Sequence, residues 1–185
     1  DGAASGARVG WGASFGTGCG GGLVVDGKIV EGANRVGGEW GHLPLPWARA
    51  DEPAAQDWCG RWNCLEQWIS GTGFRRWAGM SASDAAARMA EGDARALLAL
   101  DALSDRIARA LAIVIDTCDP DVIVFGGGVS NVDWLYGAAR GKLIAYAFTD
   151  QIVTKLVKNK HGDSSGVRGA AWLFAPGEEE AAATR

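Results

Sequence analysis

Three features of the sequence predict an α/β fold: a glycine-punctuated strand pattern near the N-terminus, a long amphipathic helix in the middle, and a short, wholly apolar strand after it. Val9 to Phe15 reads as a strand, followed by a glycine turn from Gly16 to Gly22. Leu23-Val24-Val25 and Ile29-Val30 flank Asp26-Gly27-Lys28, a hairpin signal, because Asp-Gly supplies the positive φ angles a tight turn requires. Residues 32–63 carry Gly, Pro and Trp without periodicity. So long an irregular stretch is usually functional, or is held by something other than a core, such as a metal. From Cys64 the pattern turns helical, with Leu65, Trp68 and Ile69 on one face, and Ser70-Gly71-Thr72-Gly73 ends the segment. Ser83 caps a short helix through Met89, and Asp93 caps a long one to about Thr117. In the long helix Leu97, Leu100, Leu103, Ile107, Leu111, Val114 and Ile115 recur at three- and four-residue steps, a stripe for burial. Asp119-Pro120 stops it, and Val122 to Phe125 is apolar throughout, as in the middle of an α/β sheet. Gly126 to Gly128 turn the chain, and Ser130 or Asn131 caps a helix to about Gly141. Ile152 to Val157 is the last strand and Gly166 to Phe174 a short terminal helix. Residues 1–176 form one lobe, and 177–185 a flexible, solvated tail.

The totals narrow the class. The chain has 185 residues, 48% hydrophobic and 22% charged, the balance of a globular protein rather than a disordered one. A net charge of −4 gives no basic footprint for nucleic acid. No apolar run approaches the ~20 residues of a membrane helix, and the first residues lack the basic and apolar regions of a signal peptide. With four cysteines, only Cys59 and Cys64 close together, these features point to a cytoplasmic protein with reduced thiols and a possible metal site. Cys19 and Cys118 read as buried, unreactive thiols. The nine tryptophans line a cleft, an interface or a large core.

Several short runs carry chemistry. Glycines in Gly16-Thr17-Gly18-Cys19-Gly20-Gly21-Gly22 let backbone N–H groups approach a phosphate, with the Thr17 hydroxyl as a further donor; the same residues also suit a plain turn. Gly126-Gly127-Gly128 lies at the end of a buried strand, where α/β proteins place ligands, and equally suits a tight strand-to-helix turn. Glu39, His42 and Glu66 offer acceptors and an imidazole to the hydroxyls of a sugar, or are surface charges. His42, Asp57, Cys59 and Cys64 form a donor set that zinc accepts; alternatively the cysteines are small core residues. Asn63 tolerates the left-handed conformation that the turn between the cysteines needs.

Taken together these runs resemble the ROK (repressor, open reading frame, kinase) family. Gly16 to Gly22 resembles its second phosphate-binding loop, Gly38-Glu39-Trp40-Gly41-His42 its sugar-binding turn, and Asp57-Trp58-Cys59-Gly60-Arg61-Trp62-Asn63-Cys64-Leu65-Glu66 its zinc motif, normally Cys-x-Cys-Gly-x-x-Gly-Cys-x-Glu. The runs His42 to Trp47, Ile69 to Phe74 and His161 to Trp172 are similar to the fructokinase/mannokinase subgroup. The resemblance implies an actin-like ATPase lobe (ribonuclease H-like, hexokinase-type), a mixed sheet flanked by helices. It implies ATP with Mg²⁺, ATP contacts at Gly16, Thr17, Gly18, Gly126, Gly127 and Gly128, and sugar contacts at Glu39, His42 and Glu66. It also implies a structural Zn²⁺ on His42, Asp57, Cys59 and Cys64, with Asp57 standing where the family has cysteine, and a homodimer.

By the same resemblance the general-base Asp lies upstream of Asp1, so this chain holds no catalytic residue and is inactive alone; Asp26 belongs to the hairpin turn. Removing a general base typically costs 10²–10⁴-fold, and losing a phosphate lobe removes positioning as well. The implied activity of the complete protein is phosphorylation of a hexose, D-fructose first, by ATP. The alternatives are the sugar-sensing domain of a ROK repressor and a truncated sugar-binding protein without catalysis.

Overall fold

In a computed structural model, which describes residues 2–162, the N-terminal third is a meander of three strands. β1 spans Val9–Phe15, β2 Cys19–Val25 and β3 Lys28–Ile29. Along β1 the side chains of Trp11, Ala13 and Phe15 are buried while Gly12 and Ser14 face out, so the period of two holds although glycines blur it in the sequence. The β2–β3 turn is the expected Asp-Gly hairpin, with φ of 50° at Asp26 and 76° at Gly27. β2 begins at Cys19, so only Gly16 to Gly18 form the turn, whereas the sequence pattern extended it to Gly22. The reason is packing: the Trp11 indole lies over Gly21, where a Cβ would come within 2.7 Å of the ring.

Four helices follow before the chain re-enters the sheet: α1 (Glu66–Ile69), α2 (Gly71–Ala78), α3 (Ala82–Ala90) and α4 (Ala94–Cys118). Ser70 does not end a helical segment as the sequence pattern predicts. Its extended backbone breaks α1, and its hydroxyl accepts the Gly73 N–H at 2.9 Å, starting α2. Likewise Ser81, not Ser83, caps α3. Asp93 caps α4 as expected, accepting from the amides of Arg95 and Ala96. The predicted stripe of α4 is buried from Leu100 to Ile115, but Leu97, one turn from the start, is 44% exposed.

β4 (Val122–Gly126), α5 (Trp134–Leu143) and β5 (Lys155–Lys158) complete the described chain. Ser130 and Asn131 do not cap α5: they sit in a 3₁₀ turn over Gly128–Asn131. β5 is shorter than expected because Arg140 takes the carbonyls of Ile152 and Thr154 before the strand begins. The terminal helix expected over 166–174 and the tail from 177 lie outside the described residues.

The strands order as β3-β2-β1-β4-β5. β1 is antiparallel to β2 and parallel to β4, and β5 is parallel to β4, making a mixed sheet. Phe15 and Phe125, from the paired ends of β1 and β4, meet edge to face at 5.0 Å, a contact of roughly 0.5–1.5 kcal/mol beyond area burial. The C-terminal ends of the two parallel strands therefore emerge together. At Gly127, φ is 77° and a Cβ would lie 2.5 Å from the Gly16 nitrogen, so the two loops touch only because no side chain intervenes. No helix among the described residues is long and apolar enough to cross a membrane.

Candidate functional site

The two loops that leave β1 and β4 open one wall of a cleft of about 580 Å³. Gly16 and Thr17 come from the first loop, Gly127 and Gly128 from the second. Opposite them stand Thr72 and Arg75 of α2 and the Ser81–Ser83 segment that starts α3. Arg75 is the one charged side chain of this lining, so the cleft offers backbone amides, hydroxyls and a cation, a donor set suited to phosphate. Of the glycines singled out in the sequence, Gly126 is a strand residue paired with Ser14 and does not line the cleft. Gly18 belongs to the neighbouring cavity. Arg75 and the two serines were not picked out, because nothing in their local pattern distinguishes them from a solvated helix face.

That neighbouring cavity, about 380 Å³, is lined by Gly18, Trp58, Glu66 and Arg76, and shares Thr17 and Thr72 with the first. Glu66 opens α1 and is held at both oxygens: Oε2 accepts the Cys19 N–H at 2.9 Å and Oε1 the Trp58 indole N–H at 2.8 Å. Gly18 leaves the room, since a Cβ there would meet Glu66 Oε2 at 2.4 Å. Burial and then the Glu66 charge push the Cys19 thiol far above the usual range, leaving it unreactive. Cys118 is only half-buried, not buried as the sequence suggested, because it ends α4, and partial burial still raises its thiol. Glu39 and His42 do not line this cavity. Glu39 is exposed at the head of the 3₁₀ turn Trp40–His42, and His42 packs edge-on against Trp58, ring centroids 5.2 Å apart.

His42 instead joins a second group. One ligand atom each from His42, Asp57, Cys59 and Cys64 lie within 4.8 Å of one another. His42 Nδ1 is 3.1 Å from Asp57 Oδ2, and the two sulfurs are 3.7 Å apart. Zinc takes four such donors in a tetrahedron, so nitrogen, oxygen and two sulfurs suit it in number and kind. The turn that returns Cys64 depends on Asn63 at φ 59°, as its position in the sequence suggested. Burial opposes the charge on Asp57, but hydrogen bonds from the Cys59 thiol, Gln67, the Cys59 amide and His42 outweigh it, and the carboxyl titrates at about 2. The Cys64 thiol is pushed up to about 12, by burial first and then by Cys59 and Asp57. Gln67 also fixes the outer oxygen of Asp57, which leaves Oδ2 to face the cluster.

The loop that carries these donors has a separate anchor. Arg109, fully buried on α4, donates to the carbonyls of Pro46 and Trp47 and to both oxygens of Glu52, and pairs with Asp105. Arg106 adds a bond to Glu52 at 2.8 Å and lays its guanidinium over Trp68 and Trp77. Burial favours protonated Glu52, yet the bonds from Arg109, the Arg49 amide and Arg106, with the Arg109 charge, bring its pKa down to about 2. An arginine inside an otherwise apolar helical stripe gives no sign in the sequence that its partner lies 57 residues away.

The sequence profile of the ROK family matches residues 1–176. The chain belongs to the ROK family. An N-acetyl-D-glucosamine kinase of Photobacterium profundum is 38% identical over 170 residues, 86% of this chain and 56% of the relative. This ROK chain thus spans little more than half the length of the curated relatives it matches. Among solved structures, the ROK hexokinase of Thermus thermophilus superposes with a TM-score of 0.77 at 27% identity, over 92% of this chain and 58% of that one. A ROK glucokinase of Streptomyces griseus, solved with glucose and AMPPNP, gives 0.82 at 22% identity, over 95% and 63%. The fold is therefore the actin-like one expected, with its mixed sheet flanked by helices.

Proposed function

We propose that this chain is the sugar- and nucleotide-binding part of an ATP-dependent hexose kinase. The observation that carries the reading is the shared wall of the two cavities. Thr17 and Thr72 line both, so a nucleotide held by Gly16, Thr17, Gly127 and Arg75 would present its terminal phosphate toward an acceptor held by Glu66. Phosphoryl transfer is mostly positioning and charge stabilisation, which this arrangement supplies on one side. Mg²⁺ arrives with the nucleotide and offsets phosphate charge. Glu39 is a second proposed acceptor for sugar hydroxyls.

For the substrate, the relatives favour N-acetylglucosamine. Fructose is the second reading, carried by the runs 42–47, 69–74 and 161–172, the last of which lies beyond the described residues from 163 on. Much of those runs serves packing: Trp47 stacks on Tyr146 at 5.4 Å, and Ile69 and Phe74 are core residues. With ATP and Mg²⁺, the complete gene product should release ADP in a coupled assay, fastest with N-acetylglucosamine among that sugar, fructose, mannose and glucose. Preference for fructose would favour the second reading, and no turnover on any of the four would remove the kinase assignment.

We further propose that His42, Asp57, Cys59 and Cys64 hold a structural zinc. It would pin residues 57–64, and with them Trp58 and the entry to α1, without taking part in the transfer. Elemental analysis should find about one zinc per chain. Asp57→Cys should keep that zinc at chelator concentrations that strip the natural protein, because thiolate suits zinc better than carboxylate. Metal content of zero in the natural protein would end the proposal.

A further inference from the structure

We infer that Trp58 is a positioning residue of the sugar site, orienting Glu66 through its indole N–H and forming a wall of the cavity with its ring. The inference rests on the proposed sugar role of Glu66. Trp58 is 79% exposed, an unusual place for the largest apolar side chain. Its one donor is nevertheless committed, at 2.8 Å, to Glu66 Oε1. The opposite oxygen is committed to the Cys19 amide, so the carboxylate plane is fixed from two directions by neutral donors. Each carboxylate oxygen accepts two hydrogen bonds, which leaves one site on each for a sugar hydroxyl.

The indole has a second contact besides Glu66. It stands in sequence between Asp57 and Cys59, two of the four converging donors, and its ring meets His42 edge to face at 5.2 Å with an interplanar angle of 80°. The same ring lines the cavity beside Gly18 and Glu66. An aromatic surface next to a fixed carboxylate matches the two-sided chemistry of a pyranose, whose C–H face is apolar and whose edge carries hydroxyls. A tryptophan spent on stability would be buried; this one adds little to the core and much to the cavity.

The test uses the complete gene product with N-acetylglucosamine, glucose, fructose and mannose as probes. In the unmodified protein, sugar should change the tryptophan fluorescence. Trp58→Phe keeps a ring and removes the N–H; it should lose most of that change and weaken sugar binding about tenfold, the size of one hydrogen bond to a charged group. Its KM for ATP should stay within about twofold, with metal content and melting temperature unchanged. Trp58→Ala should weaken sugar binding further, because the wall is then gone as well. Wild-type sugar affinity and an undiminished fluorescence change in Trp58→Phe would overturn the inference. Parallel losses for sugar and ATP would overturn it too, marking Trp58 as structural. Sugar binding without turnover in the unmodified protein counts against the kinase reading and leaves this one standing, whereas no fluorescence response to any of the four sugars overturns the sugar site itself.

Discussion

Arg109→Met should destabilise the protein by roughly 3–5 kcal/mol, the usual cost of removing one partner from a buried ion pair. The substitution nearly preserves volume, so little of the loss comes from a cavity. Glu52, about 9% exposed, would keep Arg106 but lose the guanidinium that reaches both of its oxygens. The carbonyls of Pro46 and Trp47 would also lose their donor. A thermal melt should drop on the order of 10 °C for a chain of this length. The pH dependence gives a second check. Glu52 titrates at about 2 in the folded protein against an ordinary 4.5, so its contribution is complete above about pH 4.5 and is lost as pH falls toward 2. That acid-side slope should flatten in Arg109→Met. A loss under about 1 kcal/mol, with the slope intact, would show that the clasp is ornamental.

Glu66→Gln should weaken sugar binding roughly 5- to 150-fold while sparing ATP. Both Glu66 oxygens face donors, the Cys19 amide and the Trp58 indole. A glutamine has one acceptor oxygen, so its NH₂ must confront one of the two, leaving a donor against a donor. An unmatched polar contact of this kind costs about 1–3 kcal/mol. The loss differs from a simple removal of charge, because the side chain must rotate away from one partner and carries its remaining acceptor sites with it. Sugar and nucleotide titrations of the complete protein measure both affinities, and equal losses would mean that Glu66 supports the fold rather than the sugar.

What was legible in the sequence was periodic or chemically marked. β1, the Asp-Gly hairpin, the Asp93-capped α4 and β4 stand where alternation, turn chemistry and apolar spacing put them. The four candidate metal donors were legible as a motif, and the structure brings their side chains together. The misreadings share a cause: small residues were taken at their local preference. Gly20 to Gly22 prefer a turn, yet they pair within β2, and Gly21 makes room for the Trp11 ring. Ser70 and Gly71 look like the end of a helix, but Gly71 N–H reaches the Gly16 carbonyl at 2.7 Å, and that tertiary bond fixes where α2 begins. Arg109 and Arg75 gave no local signal for the opposite reason. Each owes its role to a partner or cavity assembled from distant segments, and no local window contains that information.

The loop from Leu43 to Cys64 is fastened twice, by Glu52 on Arg109 and by the donor cluster at its far end. Fastenings that act independently change what mutation can do. A loop with a single rivet is released along its whole length when that rivet is broken. Here the ionic rivet holds the first half whatever happens to the second, so a change at position 57 leaves that half in place. Breaking the Glu52–Arg109 pair should therefore loosen the first half of the loop while leaving the gathered donors in place, and a change at position 57 should do the reverse.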